Sequence, residues 1–159
     1  ARCPQTRYLI VGTGDYRAEL EALAVAHGVA DQVVFAGRVP HDELVAHYQL
    51  CDLFVMPNRE LANHDTEGFG LVFLEANACG KAVVAGCAGG VVEAVRHGET
   101  GLNVDGEDVA AVAAAIGELL LDDERRDAMG ERGLQVARES SSAARARLFQ
   151  DLCERVAGR

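Results

Sequence analysis

The run Asp65-Thr66-Glu67-Gly68-Phe69-Gly70-Leu71-Val72-Phe73-Leu74-Glu75-Ala76-Asn77-Ala78-Cys79-Gly80 places two glutamates with seven residues between them, Glu67 before a Gly-Phe-Gly turn and Glu75 within the apolar segment that follows it. A turn feeding a helix is the plain reading. Gly68 and Gly70 allow the backbone to pass close to a ligand, and the helix that follows offers unpaired N–H groups at the same bend. Such an end attracts anions. With a start near Gly70, Glu75 falls ~7 Å along the axis while Glu67 stays in the loop. The neighbours of Glu75 are Val72, Phe73, Leu74, Ala76 and Ala78, apolar almost all round. That pattern predicts a buried helix and a carboxylate in need of a partner. The competing reading is an acid on a solvated face.

Working outward, Arg7 to Val11 is a short apolar run stopped by Gly12-Thr13-Gly14-Asp15, hence a strand and a tight turn. Leu20, Leu23, Ala24 and His27 recur at helical spacing up to Gly28. Val33 to Gly37 forms a second strand, a helix with Leu44, Val45 and Tyr48 on one face follows Pro40, and Leu53 to Met56 is a third strand. Asn58 to Thr66 is a polar loop. Beyond the central helix come a strand at Ala82 to Ala85, a short helix over Val91 to Val95 and a strand at Leu102 to Val104. Strands alternating with helices over short connections predict an α/β fold, a Rossmann-like parallel sheet with helices on both faces. Ligands of such sheets bind at the carboxyl ends of the strands. The loops Gly12 to Asp15, Gly37 to Val39, Asn58 to Gly70 and Gly86 to Gly90 all leave strands at that end.

From Glu107 onward the pattern is helical: a stripe of Val109, Val112, Ala113, Ile116, Leu119 and Leu120, a weaker glycine-interrupted helix over Glu124 to Arg138, and a last helix capped within Ser140 to Ser142. With no second core, residues 1–159 read as a single domain.

Fifteen basic residues against 25 acidic give a net charge of −10, which argues against a nucleic-acid surface or a polybasic membrane patch. An anionic ligand must then be held by local groups. No apolar run reaches the ~18 residues of a membrane span. Five cysteines without a Cys-x-x-Cys pair favour reduced thiols in a cytoplasmic protein. No cluster has metal-ligand spacing, so neither a metal nor a cofactor is expected.

The central run resembles the Glu-x7-Glu motif of retaining glycosyltransferases with two Rossmann domains (GT-B), the family-four group also known as glycosyl transferases group 1. Two glutamates at that spacing mean little alone. Around them stand Cys51-Asp52-Leu53-Phe54-Val55-Met56-Pro57, Cys79-Gly80-Lys81-Ala82-Val83-Val84-Ala85-Gly86, Gly89-Gly90-Val91-Val92-Glu93 and Gly98-Glu99-Thr100-Gly101-Leu102, in the family's order. The resemblance spans nearly the whole chain. It implies the C-terminal, donor-binding half of an enzyme that moves a sugar from a nucleoside-diphosphate sugar to an acceptor hydroxyl with retention of configuration. It also implies that Glu67 contacts the sugar hydroxyls as the catalytic-site acid, that Glu75 binds the ribose, and that the backbone of Gly68, Phe69, Gly70, Leu71 and Val72 faces sugar and pyrophosphate. A ribose diol suits a carboxylate, which only accepts hydrogen bonds. The loop Asn58 to Asp65 is similar to that of lipid-directed mannosyltransferases.

Weaker candidates accompany these. Gly12-Thr13-Gly14 lacks the third glycine of a dinucleotide fingerprint, whose place Arg17 takes; the resemblance implies that Gly12 and Gly14 line the nucleotide pocket. Arg38 and Val39 resemble the loop that flanks the base, although Arg38 reads equally as a surface charge. His64 reads as neither catalytic nor a ligand. The chain also departs from the family pattern. The Arg and Lys that clamp the donor diphosphate, the first strand of the sheet and the N-terminal acceptor-binding domain are expected upstream of Ala1. That missing domain would hold the acceptor and leaves room for peripheral membrane contact. Two charge-assisted groups at ~1.5–3 kcal/mol each predict weak donor binding by these residues alone. Lys81 stands where the family usually has Pro, and Asn77 where it often has Met or Ala. A sugar-nucleotide epimerase of the same architecture and a non-catalytic nucleotide- or partner-binding module are the alternative readings.

Overall fold

The computed structural model describes residues 3–60 and 66–158. The chain divides into two compact units, Ala1–His47 and Tyr48–Arg159. In the first, β1 (Tyr8–Val11) and β2 (Val33–Gly37) pair in parallel around α1 (Arg17–Ala26). α1 ends where His27 and Gly28 turn back onto the carbonyls of Leu23 and Val25. A one-turn helix at His41–Glu43 leads into α2 (Leu44–Leu50), within which the two units are joined. Ala24 is the one buried residue among the described residues of this unit.

The second unit is built on a three-stranded parallel sheet in the order β3-β4-β5, with β3 Leu53–Met56, β4 Ala82–Gly86 and β5 Gly101–Val104. Leu53 pairs with Ala82, and Val83 with Gly101. Every residue of β4 is buried. Successive side chains of a strand point to opposite faces, so β4 feeds two cores. Val83 and Ala85 pack with Phe73 and Ala76 of α3 (Leu71–Ala78) and with Val91 and Ala94 of α4 (Val91–Ala94). Ala82 and Val84 pack with Leu102 of β5, with Ala115 and Leu119 of α5 (Val109–Leu121), and with Met129 of α6 (Asp123–Glu139). Helices therefore cover both faces of this sheet.

Caps set the helix starts. Asp108 accepts from the amide of Ala111 at 3.0 Å, Asp122 from Arg125 at 2.9 Å, and Ser141 from Ala144 at 3.3 Å at the head of α7 (Ser142–Val156). The glycines that made α6 look weak are contact points. A Cβ on Gly130 would overlap the carbonyl of Gly80, and one on Gly133 the side chain of Asn77. Asn77 itself is buried at the end of α3 and donates to the carbonyls of Lys81 (2.9 Å) and Thr100 (3.3 Å). It ties the helix to the segments entering β4 and β5.

The strands and helices fall where the sequence places them, and the α/β fold with parallel strands is the one expected, its strands forming two sheets, β1-β2 and β3-β4-β5.

Candidate functional site

The bend before α3 is held from within. Glu67 reaches three residues forward, and its Oε1 accepts from the amide of Gly70 at 3.0 Å. Among the described residues no hydrogen bond falls on the second carboxylate oxygen. The Gly70 amide, expected to face the donor, is already satisfied. Gly70 adopts φ 80°, ψ 61°, the left-handed region in which L side chains are strained, and a Cβ there would overlap the Phe73 ring. The carbonyl of Gly70 accepts from Phe73 N at 3.0 Å. The amides of Leu71 and Val72, in the first turn, have no intrahelical acceptor by position.

A second loop closes on the bend. The carbonyl of Glu67 accepts from Gly90 N at 3.1 Å. Side chains at Gly89 or Gly90 would run into the carbonyls of Glu67 and Gly68. Asn58, directly after the strand-ending Met56-Pro57, braces the same end of the sheet. Its Oδ1 accepts from Gly86 N at 3.0 Å and its Nδ2 donates to Ala88 O at 3.1 Å. Sequence reasoning did not single out Asn58; the available signal was an amide side chain between a strand and a polar loop. A groove of about 400 Å³ lies between Asn58–Glu60, Cys87–Ala88 and Asp105–Glu107. Neither motif glutamate lines it.

Glu75 corrects one expectation. The apolar run around it predicts burial, yet the side chain is exposed. α3 is buried along Phe73, Ala76 and Asn77, whereas Leu71, Glu75 and Ala78 form an open face. The reason is geometric: β4, α4 and α6 cover only part of the helix circumference, and residues four apart share a face. The partner that a buried acid would have needed is present nonetheless. Tyr48 Oη donates to Glu75 Oε2 at 2.8 Å. Burial first, and then the hydrogen bond and negative charge of Glu75, push the Tyr48 phenol well above its usual range, so it remains a neutral donor. Tyr48 was placed on a helix face by the sequence, but its pairing with Glu75 spans 27 positions and has no local signature.

In the first unit Gly12 and Gly37 adjoin at the carboxyl ends of β1 and β2, with Gly12 N donating to Gly37 O at 2.7 Å. Gly12, Gly14 and Arg38 are exposed and Val39 is half-buried. Arg17, in the place of a fingerprint's third glycine, lies over the Phe35 ring at 5.3 Å and bonds Glu21 at 2.8 Å. The loops of this unit and those of the second each cluster at strand ends within their own unit. Asp65, His64 and the rest of 61–65 lie outside the described residues. Among the described residues no three His, Cys, Asp or Glu side chains gather as a metal site would require. No helix of the described residues is long and apolar enough to cross a membrane.

The chain is similar to known proteins in sequence and in fold. The chain is 49% identical over 133 residues to the GDP-mannose-dependent alpha-(1-6)-phosphatidylinositol monomannoside mannosyltransferase of Mycolicibacterium smegmatis, covering 83% of this chain and 35% of that protein. Among solved structures, sucrose-phosphate synthase from Thermosynechococcus elongatus superimposes with a TM-score of 0.75 at 31% identity, over 94% of this chain and 39% of that one. Anabaena HepE in complex with UDP-glucose does so with a TM-score of 0.78 at 26% identity, over 98% and 42%. These structural neighbours are GT-B glycosyltransferases. The chain spans about a third of the length of the mycobacterial relative. The family profile described as "Glycosyl transferases group 1" matches residues 1–136, and the chain belongs to that family.

Proposed function

We propose that these residues form the donor-binding half of a retaining glycosyltransferase, which transfers a sugar from a nucleoside-diphosphate sugar to an acceptor hydroxyl held by a further domain. The observation that carries this reading is the bend itself. One carboxylate oxygen of Glu67 fixes the Gly70 amide, and the open face of α3 presents Glu75 one turn beyond Leu71. A donor laid along this face would set its ribose against Glu75, its diphosphate against the amides of Leu71 and Val72, and its sugar hydroxyls against the free oxygen of Glu67. As the bond from the anomeric carbon to the diphosphate breaks, charge on the departing oxygens would be met by dipoles already in place. That mode of binding suits a chain of net charge −10, since amide dipoles require no basic side chain.

The relative named for GDP-mannose and phosphatidylinositol monomannoside makes GDP-mannose the first donor to try and a glycolipid the first acceptor class, in a cytoplasmic enzyme. HepE, seen with UDP-glucose, makes that donor the control. The test is transfer by the full-length protein from GDP-mannose, UDP-glucose and ADP-glucose, with the anomeric configuration of the product read by NMR. A product of retained configuration is expected, with activity lost in Glu67→Ala. An inverted product, or full activity in that variant, contradicts the reading.

A further inference from the structure

Glu75 is an exposed side chain with three rotatable bonds, and such a group samples several rotamers unless something holds it. Here a closed circuit of contacts does so. Tyr48 Oη donates to Glu75 Oε2 at 2.8 Å. The Tyr48 ring packs on Phe54 of β3 with centroids 5.5 Å apart, and Phe54 meets the edge of Phe73 at 6.0 Å. Phe73 is fully buried and lies two residues before Glu75 on the same helix. The backbone of Tyr48 is fixed in turn, its carbonyl accepting from Cys51 Sγ at 3.1 Å. The circuit therefore leaves α3, passes through α2 and β3, and returns to α3 one half-turn away.

We propose that Tyr48 is a positioning residue for donor binding, its hydroxyl holding the Glu75 carboxylate in the one orientation that receives the ribose. This rests on the reading of Glu75 given above and adds to it a residue outside the motif. A carboxylate offers about four lone pairs. Tyr48 occupies one of those on Oε2, so Oε1 remains whole for the ligand. In this assignment the phenol acts on the carboxylate and not on the sugar or the phosphates, its hydroxyl being bonded to Glu75 Oε2. Its effect must pass through Glu75 alone, and that gives it a signature distinct from a structural role.

The experiment is calorimetric titration of the full-length protein and its Tyr48→Phe, Glu75→Gln and doubly substituted variants. The probes are whichever of GDP, UDP or ADP binds the unaltered protein most tightly, and the 2′-deoxy form of that nucleotide. Tyr48→Phe keeps the ring contacts and removes one oxygen, and thermal melting verifies that each variant is folded. Tyr48→Phe is expected to weaken the ribonucleotide by about 3- to 10-fold, and Glu75→Gln by about 10- to 100-fold. The double variant should match Glu75→Gln, because once the acid is gone the phenol has nothing to orient. The 2′-deoxynucleotide should respond less than about twofold to Tyr48→Phe, and KM for the donor should rise without a matching fall in kcat. Unchanged ribonucleotide affinity in Tyr48→Phe, beside weakened binding in Glu75→Gln, overturns the role of Tyr48 and leaves the ribose reading standing. Additive losses, or equal losses for both nucleotides, also overturn it. An unaffected Glu75→Gln, or no binding of any of the three nucleotides by the unaltered protein, removes the reading beneath it as well.

Discussion

Residues 8–37 and residues 53–86 follow one plan, strand then helix then parallel strand, and meet different fates. In the first unit β1 and β2 form a two-stranded sheet that no third strand of that unit's described residues extends, and Tyr8, Leu23 and Val34 remain 50%, 52% and 49% exposed. In the second, β4 has a strand on each side and helices on both faces, and Val83, Val84 and Ala85 are 0% exposed. Similar apolar content thus gives an open layer in one place and a closed core in the other. Burial depends on what flanks a strand, and the bend of the candidate site is anchored on the side where the core is closed.

The comparison is broken most readily through Leu119, fully buried beneath β4. Leu119→Ala should lower unfolding stability by ~2–5 kcal/mol, whereas Leu23→Ala in the first unit should cost ~0.5 kcal/mol or less. Urea denaturation of both variants provides the check, and equal losses would erase the distinction. A smaller effect separates two glycines. Gly90→Ala drives a methyl into the Gly68 carbonyl, while Gly14→Ala meets no atom within 4 Å. The first should cost ~1–3 kcal/mol and the second ~0.5 kcal/mol or less in the same measurement.

The gentlest probe works within the second unit. Burial raises the thiols of Cys51 and Cys79, with Lys81 only partly opposing the shift, while Cys87 and Cys153 are exposed. A raised pKa leaves less thiolate at neutral pH, and the thiolate is the species that reacts. Alkylation at pH 7.5, followed by mass spectrometry, should therefore modify Cys51 and Cys79 at least about threefold more slowly than Cys87 and Cys153. Faster labelling of Cys79 would show that the end of α3 opens more freely than its packing implies.

The strand and helix order was legible in the sequence because alternation, glycine stops and cap residues are local signals. Val33 to Gly37 and Leu53 to Met56 are found where the pattern puts them. The bend was legible too, since Gly68-Phe69-Gly70 before an apolar run has few other uses. What failed was inference about exposure. Glu75 sits in an apolar run, but the run is eight residues long, and besides Glu75 four of its residues, Leu71, Val72, Leu74 and Ala78, are exposed or half-covered. Apolar composition cannot say which side of a short helix the rest of the fold leaves bare. The long-range ties were illegible for the same reason. Tyr48 with Glu75, Asn58 with Gly86 and Ala88, and Asn77 with Thr100 join residues 23 to 30 positions apart, and no spacing rule connects them.

The central claim is that the bend and the open face of α3 together receive the donor. Backbone-amide NMR of the full-length protein, titrated with GDP-mannose and with UDP-glucose, tests it residue by residue. The expected result is that Gly68, Phe69, Leu71, Val72 and Glu75 shift with one of the two donors, and that these shifts are lost in Glu75→Gln. Shifts confined to α5, α6 or α7, with the amides of 67–75 unmoved, would contradict it.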